Sequence, residues 1–176
     1  MRLIDIQLLT EESFRPYGWL LGKNIQLDGS VPAFTNADID FWHEHTFDPG
    51  SEGETEVLWV NYRNAQRALS TLEVHRLTQQ AVVPLTGEII QVVALSQEDG
   101  SLDLDSVRAF RVREGEGICM RAGCWHTTRV DAQEVQCLML TRRSTTVDLV
   151  AHLNSGSGLS ESAIAPVGAP IALNMS

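Results

Sequence analysis

The chain has 176 residues, enough for one domain with a sizeable core. Its 23 acidic and 13 basic residues leave a net charge of −10, a field that repels a phosphate backbone and argues against nucleic acid as a partner. No apolar run approaches the ~20 residues of a membrane span, and the opening Met-Arg-Leu-Ile-Asp lacks the apolar region of a signal peptide.

Residues 3 to 9 read as a first strand. Thr10 can cap a short helix through Gly18, with acidic residues in its first turn and Pro16 and Gly18 at its end. Trp19 to Leu21 resume as strand. Residues 22 to 53, rich in Gly, Pro, Asp and Asn, are expected to form a long loop or irregular strands. Within them Phe41-Trp-His43-Glu44-His45 holds a His-x-His pair, read as a solvent-facing loop or a lid over a barrel mouth.

Residues 54 to 62 have strong β composition. Ser70–His75, Ala81–Val83, Glu88–Leu95, Ser106–Val112, Gly117–Met120, Thr127–Val130 and Val135–Thr141 then follow as short strands separated by turn signals. That regular spacing predicts an all-β barrel or sandwich with one or two short helices, occupying residues 1–153. Residues 154–176, with Asn-Ser-Gly-Ser-Gly and two prolines, are expected to be an extended C-terminal tail. The three cysteines, Cys119, Cys124 and Cys137, are an odd number without zinc-site spacing. They read as buried reduced thiols in a cytoplasmic protein, with a nucleophilic Cys124 as the lesser alternative.

Chemistry concentrates in two stretches. In the first, Glu73-x-His75 is followed after four residues by Gln80 and after six more by Gly87. In the second, Gly115 is followed after five residues by Arg121-x-Gly123, and after two more by His126. Their order and spacing resemble the two motifs of a cupin barrel, with altered residue types: Glu73 and Gln80 replace the usual His and Glu, and Arg121 replaces a proline. Residues two apart on a strand face the same side, so Glu73 and His75 can point together into a barrel. Glu73, His75, Gln80 and His126 would then offer a donor set suited to a divalent transition ion with open positions, such as nickel, manganese or iron. The same histidines also fit hydrogen-bonded interior residues of a barrel without metal.

The run Leu72-Glu73-Val-His75-Arg-Leu77-Thr-Gln-Gln80-Ala81-Val-Val-Pro84, with Val92-Val-Ala94, Val107-Arg-Ala-Phe110, Trp125-His126 and the opening Leu9-Thr-x-Glu-x-Phe14-x-x-Tyr17-Gly18, resembles the ureidoglycolate lyase family. The resemblance implies a cupin-like homodimer that splits a small carboxylate, ureidoglycolate, into glyoxylate and urea during purine (allantoin) breakdown, with nickel as the associated metal. It implies catalytic roles for Glu73, His75 and His126, and substrate binding by Gln80. Arg63 falls near a family arginine and becomes the candidate for the substrate carboxylate; Arg121 is a second candidate cation. The chain departs from the family around residues 119–128, where a tyrosine, two histidines and an arginine of the family pattern are missing or moved. Two alternatives stay open: a metal-dependent cupin oxygenase or isomerase acting on another small carboxylate, and a cupin that binds a ligand without turning it over.

Overall fold

A computed structural model describes residues 1–174. The chain order is β1 (Arg2–Leu8), α1 (Glu11–Phe14), β2 (Gly18–Leu21), β3 (Ala33–Thr35), β4 (Asp40–Trp42), β5 (Thr55–Tyr62), β6 (Ala68–His75), β7 (Gln80–Pro84), β8 (Ile89–Ala94), β9 (Arg108–Val112), β10 (Gly117–Met120), β11 (Trp125–Arg129), β12 (Val135–Arg142), α2 (Arg143–Ser155) and β13 (Ser162–Asn174). A single 3₁₀ turn spans Leu104–Ser106. No helix among the described residues is long and apolar enough to cross a membrane.

Six strands close into a barrel in the order β1-β13-β6-β11-β8-β9, and a five-stranded sheet runs β2-β10-β7-β12-β5. The all-β, cupin-like expectation holds. Strand alternation builds two cores. Leu72 and Val74 of β6, Ile90 and Val92 of β8 and Trp125 of β11 point into the closed barrel. Ile89 and Val93 of β8, Phe110 and Val112 of β9, and Ile118, Met120, Cys137 and Met139 pack between the barrel and the second sheet. Residues of β6 and β11 that face away from the barrel interior therefore look toward the second sheet.

Thr10 caps α1 in a capping box with Ser13, and Phe14 of that helix packs edge-to-face on Phe110. Gly18 opens β2 where no side chain fits, because a Cβ there would lie 2.0 Å from the Cys119 carbonyl oxygen. The 22–53 region contains only the short β3–β4 hairpin, as its composition suggested.

One correction and one element the residues did not announce come from the C-terminal third. Residues 162–174 are not a tail: β13 pairs antiparallel with β6 and parallel with β1, closing the barrel. Its Val167, Ile171 and Leu173 are core residues, so burial pulls this Pro- and Gly-bearing segment into the sheet. Before it, α2 is a 13-residue helix that the β-branched run Thr145-Thr-Val147 disguises, ended by Gly156 in the left-handed conformation with φ 70°.

Candidate active site

A cavity of about 230 Å³ opens between β5, β6, β7, β12 and α2, lined among others by Tyr62, Glu73, His75, Gln80, Thr141 and Thr145. Glu73 and His75 point there because their neighbours Leu72 and Val74 are drawn into the barrel core. On the adjacent strand His126 is the direct cross-strand partner of Glu73, with Trp125 taking the core side. One ligand atom from each of Glu73, His75 and His126 lies within 4.8 Å of the others. The imidazole centroids of His75 and His126 are 5.1 Å apart. Gln80 Nε2 lies 3.4 Å from His75 Nε2 and 3.3 Å from Met139 Sδ, so the amide reaches the same centre.

Each imidazole is tied on its outer nitrogen. His126 Nδ1 is 3.0 Å from the carbonyl oxygen of Cys124, which can only accept, so Nδ1 carries the proton. His75 Nδ1 is 2.8 Å from Ser162 Oγ. His126 Nε2, which belongs to a residue only 4% exposed, has no hydrogen-bond partner. It faces the Glu73 carboxylate at 3.4 Å. A bare imidazole nitrogen against a half-buried carboxylate is repulsive unless a positive charge sits between them, either a second proton or a metal ion. Two imidazoles, a carboxylate and an amide fit a borderline divalent ion, and the orphaned nitrogen aims into that position.

Burial pushes the Glu73 carboxyl up, but His126 and then His75 outweigh it, and the group sits below the ordinary carboxylate value. Burial and then the charge of His126 drive His75 down to about 4, against the opposing pull of Glu73, so His75 is neutral at physiological pH. Burial also pushes the Tyr62 hydroxyl up, leaving a donor at the cavity wall.

The motif glycine Gly123 has φ 81°, which favours glycine, and its N–H donates to the His75 carbonyl at 2.8 Å. The second motif thus braces the strand end that carries the first.

Neither arginine singled out in the sequence lines this cavity. Arg63 lies at the end of β5, 63% exposed, in an ion pair with Glu134. Arg121 stacks over the Trp19 ring at 4.1 Å and donates to the Arg15 carbonyl. Alternation explains Arg63, because Leu58, Val60 and Tyr62 take the inward positions of β5. His45 stacks on the Trp19 ring at 4.3 Å and pairs with Gln79, and neither it nor His43 lines the cavity. Cys124 is buried and burial pushes its thiol up to about 12, which keeps it protonated and argues for the buried-thiol reading over the nucleophilic one. The residues that sequence reasoning missed are Tyr62, Thr141, Thr145 and Ser162. Tyr62 alone had a signal, as an inward position of a strongly β-patterned strand.

The family described as ureidoglycolate lyase matches residues 1–157. Ureidoglycolate lyase of Pseudomonas fluorescens is 30% identical over 131 residues, covering 72% of this chain and 75% of that one. Ureidoglycolate lyase of Rhodobacter capsulatus is 28% identical over 130 residues, covering 72% and 77%. Among solved structures, a dTDP sugar isomerase from Desulfovibrio desulfuricans is similar with a TM-score of 0.43 at 14% identity, covering 80% of this chain and 83% of that one. The Drosophila melanogaster CENP-C cupin domain is similar with a TM-score of 0.37 at 13% identity, covering 64% and 75%.

Proposed function

The chain belongs to the ureidoglycolate lyase family, and from that premise we propose that it cleaves ureidoglycolate to glyoxylate and urea in the cavity above Glu73, His75 and His126. The observation that carries the reading is the orphaned Nε2 of His126 facing Glu73, beside a neutral His75.

The substrate carbon bears a hydroxyl, a carboxylate and a urea nitrogen. Cleavage removes the hydroxyl proton, turns C–O into a carbonyl, breaks C–N and returns a proton to the departing nitrogen. Glu73 is ionised and its side chain is 35% exposed at the cavity, so it can take the hydroxyl proton and hand it to that nitrogen. Gln80, Thr141 and the protonated Tyr62 supply neutral donors and acceptors for the urea moiety. Glu73, His75 and His126, with Gln80, would hold a divalent ion, for which we propose nickel. When bound, such an ion supplies Lewis acidity and positive charge at the developing alkoxide and carboxylate. That charge matters here because no Lys or Arg is among the described lining residues.

The test is release of urea and glyoxylate by purified protein supplied with ureidoglycolate and nickel, manganese or iron. A folded protein inactive with all three would overturn the reading. A wall without Lys or Arg among the described lining residues also favours a second reading, a cupin that binds or transforms a different small molecule, and oxygen uptake with iron-loaded protein would distinguish an oxygenase. Three buried free thiols support a reducing, cytoplasmic setting.

We further place a homodimer contact on the outer face of the five-stranded sheet. Val57 and Trp59, 63% and 62% exposed on edge strand β5, stand beside Leu140 and Leu138 of β12. On a chain with net charge −10, this row without charge is where a second copy can approach. Trp59→Glu should convert a dimer to a monomer in sedimentation; an unchanged mass would remove this face from the reading.

A further inference from the structure

Both imidazoles clustered with Glu73 are held from behind, but by different parts of the chain. His126 uses a backbone carbonyl two residues away. His75 uses Ser162, a side chain 87 residues away at the start of β13, outside the residues matched by the family. Ser162 is 5% exposed and sits directly opposite His75 in the β13–β6 register, so their side chains share a face.

The stretch around Ser162 is heavily tied. The Arg76 N–H donates to the Glu161 carbonyl at 2.9 Å. The Asp148 carboxylate on α2 accepts from the Ser160 N–H and Oγ and from the Glu161 N–H. Glu161 in turn accepts from Ser144 and from Thr145 at 2.5 Å, and pairs with Arg142. Thr145 lines the cavity. Residues 160–162 therefore join the cavity's helical wall to the back of His75.

We propose that Ser162 is a positioning residue. Its Oγ accepts the Nδ1 proton of His75, which leaves the Nε2 lone pair turned into the cavity toward Gln80 and the other two donors. The Gln80 amide nitrogen 3.4 Å from Nε2 is placed as a donor to such a lone pair. Both imidazoles then present the same bare atom to one point, one anchored locally and the other through β13. The inference rests on the divalent-ion reading above for its purpose but not for its test.

The test reads histidine tautomers by long-range proton–nitrogen correlation spectra of metal-free protein at neutral pH, with the His75 signals assigned by their loss in His75→Gln. The unsubstituted protein should show His75 protonated on Nδ1. Ser162→Ala should shift His75 toward the Nε2-protonated form, leave His126 unchanged, and weaken nickel binding in calorimetry about 10- to 100-fold. Ser162→Thr, which keeps the hydroxyl, should restore both signals. A His75 already protonated on Nε2 would overturn the proposal, as would a tautomer that Ser162→Ala does not move. The tautomer is read without metal or substrate, so a protein inactive on ureidoglycolate still decides it.

Discussion

The β6 and β11 sides of the Glu73, His75 and His126 cluster present the same kind of side chain by different routes. On β11, His126 is held by its own turn, through the Cys124 carbonyl. On β6, His75 depends on Ser162 and on the closure of the barrel by β13. The anchor of His126 is backbone, and a carbonyl accepts a proton whatever side chain its residue carries. A side-chain anchor has no such freedom.

The largest break in this comparison should come from His126→Ala. It removes the orphaned nitrogen and leaves Glu73 facing a gap, and turnover should fall by about 10²- to 10⁴-fold in a urea-release assay, with His75→Ala in the same range. Equal losses would mark the two sides as equivalent donors, whereas a much smaller loss for His75→Ala would assign the chemistry to β11 alone. Glu73→Gln keeps the shape but removes the charge and the proton acceptor. It should lower kcat by about 10²-fold while changing KM little, read from initial rates.

Acid should act on the β6 side. His75 titrates near 4 in the folded chain against an ordinary 6.5, so the unfolded chain binds its proton first as pH falls. Stability is complete above about 6.5 and declines down to about 4, by up to about 3 kcal/mol for this group. Glu73, whose pKa is lowered on folding, adds a loss of the same sign as pH falls below its ordinary value of 4.5. Denaturant midpoints of metal-free protein across this window should fall with acid, and His75→Gln should flatten the slope. An unchanged slope would remove His75 from the account.

The smallest effects should come from the two arginines outside the cavity. Arg63→Ala loses a largely exposed ion pair, worth at most about 1 kcal/mol, and should leave KM for ureidoglycolate within about twofold. Arg121→Ala loses the stack on Trp19, about 0.5–1 kcal/mol, with kcat also little changed. A KM raised tenfold by either would bring that arginine back into substrate binding.

Much of this was legible in the residues. The strand runs, the Thr10 cap and the shared face of Glu73 and His75 follow from period-two alternation and local capping, which depend only on near neighbours; the expectation that this face points into the closed barrel is corrected, because Leu72 and Val74 take the barrel interior and turn Glu73 and His75 toward the second sheet. Gly123 could be read from its motif, because a turn with φ 81° favours glycine. What no local pattern contains is which strands become neighbours. That choice set His126 against Glu73, turned Arg63 outward to Glu134, and drew residues 162–174 into the barrel, bringing Ser162 behind His75. Alternation decides the face of a strand on which a side chain stands. Only the burial of distant apolar rows against each other decides what that face meets.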